Sequence, residues 1–136
     1  MHKLNQVLII DDDEVNNLFC TIVIEHAGIS GEVHSCTNGP EALDYLETCL
    51  RYGKPAPDLI LLDINMPLMD GLEFLHHYKS NGYDQKLPTK ISMLSSSDMV
   101  SDIQSASRYD FVVDYLVKPL TEDALKRLLQ KVKTNA

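Results

Sequence analysis

Tryptophan is absent from the 136 residues, and cysteine occurs only three times, at 20, 36 and 49. Those spacings form neither a CxxC pair nor a Cys/His ligand pattern, which argues against a thiolate metal site and against a disulfide framework. Reduced, buried thiols are the expectation. No apolar run approaches the roughly 18 residues that span a bilayer. The opening MHKLNQVLII meets acid directly after four apolar residues, so it does not read as a signal peptide, and a cytoplasmic location is expected. Positive charge is also scarce. Twelve Lys and Arg against 20 Asp and Glu leave a net charge of −8, which repels nucleic-acid phosphates and anionic membrane surfaces. A basic partner or bound cations would suit it. Repeats, low-complexity tracts and linker-like stretches are missing too. The 44% hydrophobic and 24% charged composition is that of one globular domain, expected over 5–133 with short tails at 1–4 and 134–136.

What is present is an alternation of apolar strand-like runs with helical patterns. QVLII (6–10) reads as a buried strand, and Val15, Leu18, Phe19, Ile22 and Val23 follow helical spacing up to a capping Gly28. GEVHSCT (31–37) is a weaker, half-exposed strand. Pro40 suits a helix's first turn, Leu43, Leu46 and Leu50 line one face, and Gly53 ends it. DLILLD (58–63) is the most apolar strand, and Asp70 with Glu73 resembles a capping box opening a third helix that stops near Gly82. KISMLS (90–95) is the fourth strand, a weakly patterned fourth helix follows over 97–107, and FVVDYLV (111–117) is the fifth strand. A fifth helix opens at Thr121, with Leu125, Leu128, Leu129 and Val132 on one stripe. Five strands alternating with five helices predict a doubly wound (βα)5 three-layer α/β sandwich, because parallel crossovers must be helical and right-handed. Such a sheet binds ligands beyond the carboxyl ends of its strands.

At those ends stand Asp11, Asp12 and Asp13 after the first strand, Asp63 after the third, Ser95 after the fourth and Lys118 after the fifth. Carboxylates about 4–5 Å apart repel by roughly 3–4 kcal/mol per pair at an effective dielectric near 20, a cost that a hard divalent cation removes. Mg²⁺ prefers oxygen ligands and keeps positions for water or phosphate. Asp11, Asp12 and Asp63 supply a half-shell for it. Asp63 is also a competent nucleophile towards phosphorus, with the Lys118 ammonium and Ser95 hydroxyl available to neutralise the transferring oxygens.

The segments VLIIDDD, LILLDINMPLMDG, MLSSS and YLVKPLT, in this order and covering about residues 5 to 133, resemble the four signatures of response-regulator receiver domains, the flavodoxin/CheY-like fold. The resemblance implies a five-stranded parallel sheet in the order 2-1-3-4-5. It implies that Asp63 accepts a phosphoryl group from a phosphohistidine on a sensor histidine kinase or histidine phosphotransfer protein. Asp11 and Asp12 match the acidic pair that holds Mg²⁺, with Asp12 and Asp63 as direct ligands, and Asn65 matches the residue whose backbone carbonyl completes the coordination. Ser95 matches the switch hydroxyl, Lys118 the lysine that pairs with the phosphoryl group before an often-cis Pro119, and Tyr115 the aromatic switch. Asn65 and Ser97 fall at positions that help set the phosphoryl lifetime. The output is expected on the face of the fourth helix, fifth strand and fifth helix, open to a protein target or to a second copy of the chain. The chain is expected either to act alone through such contacts or to be part of something larger.

Plainer readings compete. Asp13 and Glu14 suit a helix cap better than a site. Ser96 and Ser97 read as helix capping. Tyr115 can simply pack on the core with its hydroxyl outside, and the adjacent His76 and His77 point apart on a helix, at the surface. Met66 and Met69 read as loop packing. The run DDDEV also fits the DxDx[T/V] motif of haloacid-dehalogenase-type phosphatases, with Asp11 as nucleophile and Asp13 as acid, although that leaves Asp63 unexplained. A receiver-like module that never carries phosphate is the other alternative. The segment SNGYDQKLP before the fourth strand has no functional reading.

Overall fold

The computed structural model describes residues 4–96 and 100–134. Strands β1 (Leu4–Ile10), β2 (Ser30–Cys36), β3 (Leu59–Leu62), β4 (Lys90–Ser95) and β5 (Val112–Val117) form one parallel sheet in the order β2-β1-β3-β4-β5. Alternate side chains of the central strands serve two cores. Leu8, Ile10, Ile60 and Leu62 face one layer, while Val7, Ile9, Leu59 and Leu61 face the other. A strand buried on both sides must be apolar throughout, which is why LILL carries no alternation.

The first core is closed by α2 (Gly39–Arg51), α3 (Gly71–Ser80) and α5 (Val100–Ser107), through residues such as Leu46, Phe74 and Ala106. The second is closed by α1 (Glu14–Ala27) and α6 (Glu122–Thr134), through Cys20, Ile24, Leu125 and Leu128. Local chemistry sets the boundaries. The Asp13 carboxylate caps α1, Gly28 ends it at φ 68°, and Asp70 with Glu73 closes a reciprocal capping box on α3.

Two features depart from the sequence expectation. A sixth helix, the single turn α4 (Tyr83–Lys86), interrupts the 80–88 segment, so the count of five is corrected. Its anchor is Tyr83, which is buried against the Tyr78 ring and donates its hydroxyl to Glu47 at 2.9 Å. A four-residue turn carries too little periodicity to be read from sequence. The expected output face therefore corresponds to α5, β5 and α6, with residues 97–99 of the expected fourth helix outside the described residues.

Second, the residues that set the helical period of α1 are mostly outside. Val15, Leu18, Phe19 and Ile22 are exposed by 77, 62, 43 and 55%, whereas Asn17, Cys20 and Ile24 are buried. Cys20, Cys36 and Cys49 are free, buried thiols. Among the described residues, no helix is long and apolar enough to cross a membrane.

Candidate functional site at the sheet's carboxyl rim

Register brings the strand ends together. Ile10 pairs with Leu62, and the next residue's N–H, that of Asp63, donates to Ile10 O at 3.0 Å. Asp11 and Asp63 thus follow adjacent positions of neighbouring strands. On the other side Ser95 pairs with Val117, and Lys118 N–H donates to Ser95 O at 2.8 Å. The Lys118–Pro119 peptide is cis. Order reverses between β1 and β3, where a doubly wound sheet opens its crevice.

One carboxylate oxygen each from Asp11, Asp12 and Asp63 lies within 4.8 Å of the others. Asp11 and Asp63 are buried, at 2 and 6% exposure, and Asp12 is exposed. Three hard oxygen donors converging at that spacing fit Mg²⁺ and do not suit a soft metal. The Lys118 ammonium sits 2.6 Å from Asp11 Oδ2 and 3.7 Å from Asp63 Oδ2.

Burial, then the neighbouring Asp11 charge, pushes the Asp63 carboxyl up from 3.8 to about 6, against the pull of Lys118 and of the Asn65 and Ile64 N–H groups. Those two N–H groups turn the loop's main chain, Asn65 included, towards the acid. Burial would lower the Lys118 pKa, but its bond to Asp11 and the charge of Asp63 outweigh it, and the net shift is upward.

The loop after Asp63 is held by close backbone packing. Gly71 donates its N–H to Ile64 O at 2.7 Å, and a Cβ there would lie 2.5 Å from Asp63 O and 2.8 Å from Ile64 Cα. Only glycine lets α3 start this close to the acid's own backbone. Met66 is buried and Met69 packs on the core, its side chain filling the space where a Cβ on Gly39 would stand. Leu68 is the exception: 82% exposed, at φ 71°, inside a tight turn closed by Met69 N–H on Pro67 O at 2.8 Å.

Ser95 is buried at the end of β4. A cavity of about 40 Å³ lies between it, Ile64, Met93, Ile103 and the partly buried Tyr115. Burial raises the Tyr115 pKa, with a bond to Ser107 opposing. Ser97 is outside the described residues.

Asp13 caps α1 and is not one of the three clustered acids. Its Oδ1 accepts the Val15 and Asn16 N–H groups at 3.0 and 3.2 Å, a helix cap rather than an acid poised for proton transfer, which disfavours the phosphatase alternative. His76 and His77 are exposed. Sequence reading missed Asn16, whose amide donates to Asp11 Oδ2 at 2.8 Å. The only hint was its place one helical turn after the acids.

Comparisons with known proteins bear on the family and the fold. The family model described as "Response regulator receiver domain" matches residues 7–130. The chain is 30% identical over 127 residues to the probable methanogenesis regulatory protein FilR2 of Methanothrix harundinacea, covering 93% of this chain and 80% of that protein. It is 35% identical to the transcriptional regulatory protein CitT of Halalkalibacterium halodurans, spanning 95% of this chain but 52% of CitT. The crystal structure of a two-component response regulator from Cytophaga hutchinsonii superposes with a TM-score of 0.90 at 34% identity, over 98% of this chain and 99% of that one.

Proposed function

Because the chain belongs to the response regulator receiver domain family, whose members are signalling phosphoacceptors that bind Mg²⁺ in an acidic pocket, we propose that Asp63 is its phosphoacceptor. The donor is a phosphohistidine of a sensor kinase or phosphotransfer protein. A carboxylate oxygen of Asp63 forms the new O–P bond while the N–P bond of the donor breaks, and the imidazole leaves with the electron pair. Hydrolysis of the acyl phosphate by water later restores the carboxylate.

Each neighbour has a role. Asp11, Asp12, Asp63 and the Asn65 backbone carbonyl would hold Mg²⁺, which would supply positive charge to the transferring oxygens. Lys118 leaves Asp11 for the phosphoryl oxygens, a short move given its 2.6 and 3.7 Å contacts. The Ser95 hydroxyl turns to the same group, vacating space beside Tyr115, whose ring then moves inward and alters the α5–β5–α6 face. That face is where a downstream target, or a second copy of this chain, would bind.

The donor also needs a surface. Its imidazole must reach Asp63, so it necessarily covers the rim, and α1 presents Val15, Leu18, Phe19 and Ile22 outward as an apolar stripe beginning two residues after Asp13. Exposed apolar patches of this kind mark protein contacts. The stripe, at i, i+3, i+4 and i+7, fits a helix of the donor.

The observation that carries this reading is the convergence of three acids within 4.8 Å beside one lysine on a buried Asp63. Incubation with phosphorylated histidine phosphotransfer proteins tests it: label should move to the chain, and Asp63→Asn should receive none. Transfer to Asp63→Asn at the parent rate would refute the assignment.

A further inference from the structure

Asp11 has its bonding positions largely occupied by the protein itself. Its Oδ1 accepts the Asp13 N–H at 2.9 Å, and its Oδ2 accepts both the Asn16 amide at 2.8 Å and the Lys118 ammonium at 2.6 Å. Even its main-chain carbonyl is taken, by the Asn17 amide at 2.9 Å. A carboxylate buried to 2% exposure and gripped on both oxygens keeps one orientation.

The two donors on Oδ2 differ in kind. Lys118 is charged and lies between Asp11 and Asp63, so it can change partners as charge accumulates on Asp63. Asn16 is neutral, half-buried and fixed in the first turn of α1, with Cys20 beside its side chain one turn on. Among the described residues its amide bonds to no acid other than Asp11.

We infer that Asn16 is a positioning residue for the divalent cation. It keeps the Asp11 carboxylate aimed at the cluster with Asp12 and Asp63 when an incoming cation displaces Lys118, and so sets the affinity of the site for Mg²⁺. This inference rests on the proposed metal site. Partners that orient metal ligands from behind are worth about 10–100-fold in affinity.

The test is calorimetric titration of the phosphate-free protein with MgCl₂ at pH 8, beside thermal melting without metal. Asn16→Leu keeps the side chain's shape and removes the donor, and it should weaken Mg²⁺ binding by about tenfold or more. Asn16→His at this pH presents a ring N–H at similar reach and should recover most of that loss. Asn16→Ala repeats the comparison if the apolar leucine disturbs folding.

If Leu and Ala variants bind Mg²⁺ within about twofold of the parent while only their melting changes, Asn16 is a structural residue and the inference is overturned. A histidine variant as weak as the leucine variant would equally count against the donor role. A parent chain that binds no Mg²⁺ would bring down the proposed metal site and this inference together, whereas an unaffected variant brings down this inference alone.

Discussion

Lys118 is paired with Asp11 at 2.6 Å and stands back from Asp63 at 3.7 Å. The lysine therefore already serves as the counter-cation of an acid that an incoming metal would need. Removing it leaves three carboxylates without a fixed positive charge. Lys118→Ala should bind Mg²⁺ about tenfold more tightly, a gain of roughly 1.4 kcal/mol that sits well under the Coulomb ceiling for such a pair. Phosphoryl uptake should nonetheless fall, since the ammonium no longer meets the transferring oxygens. Calorimetric titration separates the two effects, and weaker Mg²⁺ binding in the variant would contradict this view of the ion pair.

The raised Asp63 pKa makes a prediction for stability without metal. Its carboxyl is pushed from 3.8 to about 6 by burial and by Asp11, so the folded protein binds the proton more tightly than the unfolded chain does. Stability then falls as pH rises from about 4 to about 6, and above that range the ionised group costs up to about 3 kcal/mol. Asp63→Asn should be the more stable protein at pH 7.5, with the difference disappearing near pH 4. Mg²⁺ affinity should weaken as pH drops through about 6, because the proton and the ion compete for the same oxygens. Urea denaturation of both proteins across this range reads out the sign.

Gly71→Ala places a methyl group 2.5 Å from Asp63 O and 2.8 Å from Ile64 Cα, both backbone atoms that cannot swing aside. The cost should be about 1–3 kcal/mol, as for other forced contacts in packed regions. The displaced segment carries the proposed acceptor, so labelling by a small phosphodonor should slow in step. A variant of parental stability and labelling would show that α3 can shift without moving Asp63.

Leu18→Glu tests the α1 stripe. Leu18 is 62% exposed, so stability should stay within about 0.5 kcal/mol of the parent. Transfer from a protein phosphodonor should fall by about tenfold or more, the equivalent of losing roughly 1.5–3 kcal/mol of apolar burial. Comparison with acetyl phosphate, which needs no docking surface, isolates the interface. Equal losses with both donors would contradict docking on α1.

Much of this was legible from residue order. Continuous apolar runs such as LILL named the buried strands, and polar residues placed just beyond them, Asp11, Asp63, Ser95 and Lys118, sit together because parallel register aligns strand ends. Hydrophobic spacing located α1 but not its orientation, since a helix that packs on Asn17, Cys20 and Ile24 while exposing Val15 and Leu18 gives the same period as one turned over. The turn at Leu68 was invisible for a different reason: leucine disfavours positive φ, and nothing local announces that Pro67 and Met69 will close around it. Asn16 escaped because its role depends on where the Asp11 carboxylate points, which is a tertiary fact.

The most direct test of the central claim is to expose the protein to acetyl phosphate with and without Mg²⁺, trap acyl phosphate by borohydride reduction, and locate the modified residue by peptide mass spectrometry. A single Mg²⁺-dependent modification, at Asp63 and abolished by chelation, is the expected result. Modification at Asp11 instead, or none at Asp63 under saturating Mg²⁺, would contradict it.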